Sequence, residues 1–199
     1  MADAVASPHK RMSALAGLSL PSVAGVAHLV EAPIDARLVL RAPADVARRL
    51  LRAANLEAPA GINRAVRAET GASLQLGPDE WLLLATTGTA ADLAATLAGA
   101  AEGAAYALVD VTDRSVAMIL DGPLVADVLA AGCPLPLELE AFPVGRATRT
   151  LWSKAEIVLW RQEARHFYME VARSHAPYLV ASLAQAIATE AAFLAEQRA

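Results

Sequence analysis

Leu40-Arg41-Ala42-Pro43 recurs as Leu120-Asp121-Gly122-Pro123, an interval of 80 residues. In both places an apolar alternating segment runs into a proline set to open a helix. Its fixed φ suits the first helical turn, where a missing N–H costs nothing. In the first copy Leu38 and Leu40 alternate with Val39 and Arg41 as a strand. After Pro43, the residues Val46, Ala47, Leu50, Leu51 and Ala54 recur at helical spacing, with Asn55 as a stop. Residues 65–68 read as a weak strand and Thr70-Gly71 as a turn; Leu74, Leu76 and residues 81–84 read as two strands of a hairpin around Gly77-Pro78-Asp79-Glu80. Thr89 with Asp92 is a capping box with Asp in place of Glu. It predicts a helix with Leu93, Ala94, Leu97 and Ala101 on one side, ending near Gly103.

The second copy repeats this order. Strands are expected over 106–110 and 116–120, then a helix from Gly122-Pro123 through Val125, Val128 and Leu129 to Gly132. Three strands follow over 146–152, 156–160 and 167–171. Ser174, or Ala176 ahead of Pro177, is expected to cap a last helix with Leu179, Val180, Leu183, Ile187 and Leu194 inward. The fold class is therefore α+β: a two-layer α/β sandwich built from two degenerate β-α-β-β-α units. The division expected is an extended N-terminal arm over 1–33, a first unit over 34–105 and a second over 106–199. An open sheet leaves an edge or a face uncovered, so the two units should pack on each other.

Composition narrows the function classes. With 199 residues, 56% of them hydrophobic and 19% charged, the chain can bury a core and is not a disordered tail. Cys133 is the single cysteine, which excludes an internal disulfide or a multi-cysteine metal cage and points to a reducing compartment. A net charge of −4 argues against a nucleic-acid binder. So apolar a chain with 5% aromatics calls for a partner over its surface. The start, His9-Lys10-Arg11 followed by apolar residues to Val26, has the look of a secretory signal. Asp3 and the turn formers Pro8, Gly17, Pro21 and Gly25 favour an arm laid on a partner instead. No run reaches the ~18 charge-free apolar residues of a spanning helix, so no membrane is expected.

The motifs for independent chemistry are missing. His9, His28, His166 and His175 lie far apart in sequence, with no paired spacing for a metal. Cys133, in Gly132-Cys133-Pro134-Leu135, reads as a small buried side chain at a turn. Ser174 and His175 are adjacent, the wrong geometry for a nucleophile and its base, and no Gly-x-Ser-x-Gly elbow occurs. Neither Gly-x-Gly-x-x-Gly nor a P-loop is present, so flavin or nicotinamide held by this chain alone is not expected. Seven arginines, Arg37, Arg41, Arg48, Arg49, Arg52, Arg64 and Arg67, stand against Asp45 and Glu57. They read as a solvated helix face, or as a basic surface for an acidic partner or a polyanionic ligand. Asp79 and Glu80 read as turn carboxylates. Asp110 and Asp113 bracket Val111-Thr112 ahead of Arg114, which makes Asp110 and Arg114 the weak candidates for a binding role. Trp81, Trp152 and Trp160 read as core or interface anchors.

Five spaced blocks then resemble a known family. They are Gly77-Pro78-Asp79-Glu80-Trp81-Leu82-Leu83, Val109-Asp110-Val111-Thr112-Asp113-Arg114, Ala131-Gly132-Cys133-Pro134-Leu135, Phe142-Pro143-Val144-Gly145-Arg146 and Lys154-Ala155-Glu156-Ile157-Val158-Leu159-Trp160. Their order is similar to that in the gamma subunit of heterotetrameric sarcosine oxidase, with Arg173-Ser174 and Ala176-Pro177-Tyr178 completing it. The resemblance implies a cytoplasmic complex of alpha, beta, gamma and delta chains that demethylates sarcosine to glycine, forming hydrogen peroxide and passing the one-carbon unit to tetrahydrofolate. It implies FAD, FMN, NAD and zinc on other subunits, and a gamma fold similar to the folate-binding part of glycine cleavage aminomethyltransferase. No catalytic or metal-binding residue carries over to this chain. Three expectations follow: a noncatalytic structural subunit; a stand-alone folate-binding or aminomethyltransferase-like protein using Asp110 and the arginines; and a self-associating scaffold that forms a homodimer when isolated.

Overall fold

A computed structural model of the chain describes residues 12–197. The readings of Asp3, Pro8, His9, Lys10 and Arg11 lie outside the described residues. In order, the elements are β1 (Ser22–Val23), β2 (Ala27–Glu31), β3 (Ala36–Arg41), α1 (Ala44–Ala53), β4 (Arg64–Ala68), β5 (Gly71–Gln75), β6 (Glu80–Ala85) and α2 (Ala90–Gly99). Then come β7 (Ala107–Asp110), β8 (Ser115–Asp121), α3 (Val125–Ala130), β9 (Ala147–Trp152), β10 (Ala155–Glu163), β11 (His166–Ala172) and α4 (Ala176–Glu196).

The repeat seen in the sequence is real and its register holds. The 80-residue shift carries β3 onto β8, Leu38 onto Met118 and Leu40 onto Leu120. One antiparallel sheet runs β7-β3-β6-β5-β4 and the other β2-β8-β11-β10-β9, with β1 added beside β2. The two orders are the same under the shift, apart from an exchange of leading strands. β2 precedes β3 in the chain but pairs with β8 in the other sheet, Leu29 opposite Leu120. Reciprocally, β7 precedes β8 but pairs with β3, Val109 opposite Val39.

Within the stretch expected as an extended arm over 1–33, the described residues take part in this exchange. From Ser22 it is a hairpin, turned at Val23 to Val26 by Gly25 at φ +79°, and Leu15, Val26, Ala27 and Leu29 are buried in the core beneath α4. Pro21 and Gly25 punctuate the strands here. Likewise β7, expected in the unit over 106–199, completes the sheet of the other repeat.

Each sheet has a helix layer on one face. Leu38, Leu40, Trp81 and Leu83 meet Val46, Leu50, Leu51 and Leu97 from α1 and α2. Met118, Leu120, Leu159 and Phe167 meet Val128, Leu129, Leu179 and Leu183 from α3 and α4. Strand alternation sends the intervening residues to the opposite face. There Leu74, Leu82 and Leu84 pack on Ala117, Val158, Trp160 and Tyr168. The two helix-on-sheet units thus stack sheet to sheet. At one side β4 and β9 close the gap through Ala65 N to Gly145 O at 2.8 Å and Ala147 N to Asn63 O at 3.1 Å.

The helix ends follow their local chemistry. Thr89 Oγ1 accepts from Asp92 N and Asp92 Oδ2 accepts from Thr89 N, both at 3.1 Å, the reciprocal capping box expected. Asn55 follows α1 at φ +55°, a conformation asparagine tolerates. The last helix differs from expectation: it is entered through a 3-10 turn at Arg173–His175, and neither Ser174 nor its neighbours supply a side-chain cap. Together Arg173–Glu196 is long and apolar enough to cross a membrane by length and composition. Its inward stripe of Leu179, Leu183 and Ile187 is buried in the core of the second sheet, while most of the helix's apolar stretch is not buried.

Gly122 shows why the second copy has glycine where the first has Ala42. Its φ is +140°, and a Cβ there would lie 2.5 Å from Val26 O and 2.7 Å from the Ala27 Cα, so the exchanged strand β2 leaves room only for hydrogen. Gly122→Ala is expected to destabilise the chain by about 3 kcal/mol or more through combined clash and strain. Gly103→Ala, at φ +79° but with open space around it, should cost about 1 kcal/mol. Urea unfolding midpoints of the two variants measure the difference; equal midpoints would contradict the close approach.

Candidate functional site

Two clefts open at opposite ends of the layer between the sheets. The larger, of about 400 Å3, is walled by Arg67, Leu84, Ile119, Trp160, His166 and Tyr168, among others. The smaller, of about 260 Å3, is walled by Val39, Leu82, Arg114, Arg149, Val158 and Glu170, among others. They are counterparts under the internal repeat. The strand registers carry Val39 onto Ile119, Leu82 onto Tyr168, Ala72 onto Val158 and Arg67 onto Arg149.

Charge breaks this symmetry. Arg37 on β3 is 5% exposed and Glu170 on β11 is 6% exposed, and Arg37 Nε lies 3.1 Å from Glu170 Oε2 across the gap between sheets. Neither charge would be tolerated there alone, because a buried ion without a partner loses its hydration uncompensated. Tyr168 donates its hydroxyl to the same carboxylate oxygen. Burial, and then the negative charge of Glu170, pushes the Tyr168 phenol well above its ordinary value of 10.0. A second network joins the units at the rim. Glu80, 8% exposed, pairs with Arg149 on β9 and with Arg41 Nη2 at 2.6 Å, while Arg41 Nη1 reaches Asp79 at 2.9 Å.

The sequence candidates fall on different parts of this frame. Asp110 ends the edge strand β7, and its Oδ1 accepts from Thr112 N at 2.9 Å and from the Thr112 hydroxyl. Thr112 Oγ1 in turn accepts from the backbone N of Arg37 at 2.9 Å. Asp110 therefore shapes the turn that holds the buried arginine. Arg114 is exposed at the mouth of the smaller cleft. The arginine run does not form one face: Arg37 is interior, Arg41 is paired, and Arg49 Nη2 donates to Ala101 O at 2.8 Å at the end of α2. Arg67 lies over the Trp160 ring, 5.6 Å from its centre.

The other candidates are placed as structural parts. Cys133 is buried with Sγ 3.9 Å from Thr150 Oγ1. His166 belongs to the larger cleft and His175 to the smaller, while His28 Nδ1 meets Ser22 Oγ. Among the described residues no three His, Cys, Asp or Glu side chains come together. Trp81 and Trp152 are in the two helix-side cores, and Trp160 is between the sheets.

Glu80, Glu170 and Arg37 were not singled out from the sequence as buried partners. The signal was present in strand alternation, which puts Glu80 on the face of Leu82 and Leu84, and Glu170 on the face of Tyr168. Arg161 was also missed. It is 1% exposed, donates from Nη2 to Leu137 O and lies 4.6 Å over the Phe167 ring, and burial lowers its pKa.

Comparison with known proteins follows from this frame. The model of the family described as "Sarcosine oxidase, gamma subunit family" matches residues 41–189. The chain belongs to the sarcosine oxidase gamma subunit family. It is 35% identical over 102 residues to the sarcosine oxidase subunit gamma of an Arthrobacter species, covering 51% of this chain and 49% of that one. It is 35% identical over 136 residues to the sarcosine oxidase subunit gamma of Corynebacterium sp. strain U-96, covering 67% and 65%. The matches thus span about half to two thirds of these curated gamma subunits. Among solved structures, a chain of heterotetrameric sarcosine oxidase from Corynebacterium sp. U-96, in complex with pyrrole 2-carboxylate, superposes with a TM-score of 0.78 at 28% identity. That match covers 90% of this chain and 95% of the other. Glycine cleavage system aminomethyltransferase T from Bartonella henselae shares the fold, with a TM-score of 0.62 at 20% identity over 80% of this chain and 45% of the enzyme. The folate-binding-like architecture expected for a gamma subunit is therefore present.

For this gamma-family chain, Tyr168 supplies a pH test of the inter-sheet cluster. Its phenol keeps its proton in the folded state at pH values where the unfolded chain has lost it. The stabilisation is full below about pH 10 and falls as pH rises toward the raised folded value. Above pH 10 the wild type should lose stability with a slope up to about 1.4 kcal/mol per pH unit steeper than Tyr168→Phe. Urea unfolding at a series of alkaline pH values reads this; parallel curves would contradict it.

Proposed function

We propose that this chain is the gamma subunit of a heterotetrameric sarcosine oxidase and serves there as a noncatalytic structural subunit. The observation that carries the reading is its likeness to a chain of that complex over nearly the whole of both. In this reading alpha, beta and delta chains are its partners in the cytoplasm. The assembly demethylates sarcosine to glycine with formation of hydrogen peroxide, tetrahydrofolate accepting the one-carbon unit. FAD, FMN, NAD and zinc belong to the other chains. Two features of this chain support that division. The larger cleft is walled mainly by apolar side chains and has no glycine-rich phosphate loop beside it, so its residues do not fit a dinucleotide. The Asp110 carboxylate is engaged in its own turn, which suits positioning of Arg37 better than chemistry on a substrate.

The described surface also suits docking. Val109 on the edge strand β7, Leu139, Val144 and Leu151 around β9, and Tyr178 and Phe193 on α4 are large apolar side chains at least 40% exposed. In the absence of partners these positions favour association of the isolated chain into a homodimer.

Co-expression with the alpha, beta and delta chains of the same source tests the reading. A tag on this chain should recover a four-chain complex and raise its melting temperature, because a partner that binds only the folded form stabilises it by about 2.7 kcal/mol at a hundredfold excess over Kd. Asp110→Asn should leave sarcosine turnover of that complex within about fivefold, whereas loss of a general base costs about 10²-fold or more. Elution of the tagged chain alone would overturn the assignment.

A further inference from the structure

The two clefts differ at one position in a way that names a missing partner. In the smaller cleft Arg149 is neutralised by Glu80. The repeat carries Arg149 onto Arg67 and Glu80 onto His166, since Glu80 faces Arg41 as His166 faces Asp121. The larger cleft therefore keeps the arginine and replaces the carboxylate with an imidazole. Among the described residues Arg67 has no acidic partner, and its guanidinium rests on Trp160. The cavity beside it is also the larger of the two, with Ile34, Leu84, Ile119 and Tyr168 giving it an apolar wall. Trp160 itself is 4% exposed, and among the described residues neither its Nε1 nor the Gln162 Oε1 on the same wall has a hydrogen-bond partner. Buried polar atoms without protein partners mark places where a ligand or its water completes the bonding. A volume of this size, apolar with few polar groups, is that of a small-molecule site.

We propose that the larger cleft binds a small organic carboxylate with a flat or branched apolar body, its carboxylate on Arg67 in the place that Glu80 takes beside Arg149. Arginine suits this role because its planar fork of donors matches the two carboxylate oxygens. Two acidic residues also line the cleft and limit the ligand's charge. Glu31 accepts from Ser13 Oγ at 2.6 Å, and Glu69 is exposed at the rim. Both disfavour a polyanion, leaving a single carboxylate as the matching charge. The proposal concerns this chain alone and does not rest on its assembly with other subunits.

The test is calorimetric and NMR titration of the full chain with three acids and their uncharged amides: benzoate and benzamide, indole-3-acetate and indole-3-acetamide, 3-methylbutanoate and 3-methylbutanamide. At least one acid should bind about tenfold or more tightly than its amide, as expected for a charge-assisted bidentate contact. Arg67→Gln, at an exposed position where folding is not at stake, should bring that ratio close to one and leave the amide within about twofold of its wild-type affinity. The proposal is overturned if no acid is preferred over its amide, or if the preference survives in Arg67→Gln.

Discussion

Each sheet carries two apolar faces and only one helix layer, so the inner faces leave water only by meeting each other. Leu74, Leu82 and Leu84 from one repeat and Val158, Trp160 and Tyr168 from the other form that contact. Full burial of a large apolar side chain contributes about 1.5–3 kcal/mol, so these few residues outweigh what a buried ion pair adds, which is close to zero once desolvation is counted. The exchange of leading strands serves the same end. With β2 in one sheet and β7 in the other, neither repeat has a complete sheet without the other. Arg37 and Glu170 then act as a register pin, because any slip between the sheets would strand two buried charges.

Function enters where the two repeats stop being alike. A chain with two equal halves has two equal clefts, and side-chain changes make them differ in size and charge. Glu80, Arg149, Arg37 and Glu170 are set in or beside the smaller cleft and spend their charge on one another. The other cleft keeps an unmatched arginine on a tryptophan. Outside the clefts the described surface offers exposed apolar side chains such as Val109, Leu151 and Phe193.

Much of the fold was legible because strand alternation and proline-opened helices are local signals. The spacing of Pro43 and Pro123 exposed the repeat, and Thr89 with Asp92 located a helix start to the residue. Of the two leading strands, β7 was legible as the strand expected over 106–110, whereas β2 was not. Ala27 to Glu31 is a short segment between turn formers, and its partner β8 lies 90 residues away, so only tertiary context makes it a strand. The final helix start was bracketed by Ser174 and Ala176, but its entry through a 3-10 turn without a side-chain cap was not legible. At the site, Asp110 and Arg114 drew notice for their density of charge in a turn. Of the residues that cross the gap, Arg37 and Glu170 lie within strands and Glu80 at the turn opening β6, places where a charged residue reads as solvent-facing until the opposite sheet is known.

The central claim is that the two repeats form one cooperative body around the layer they share. Urea unfolding of the wild-type chain, followed at once through the amide resonances of Leu83 in β6 and Leu159 in β10, measures this directly. One common midpoint for both resonances is the predicted result. Two separated midpoints, each with its own shallower transition, would contradict it.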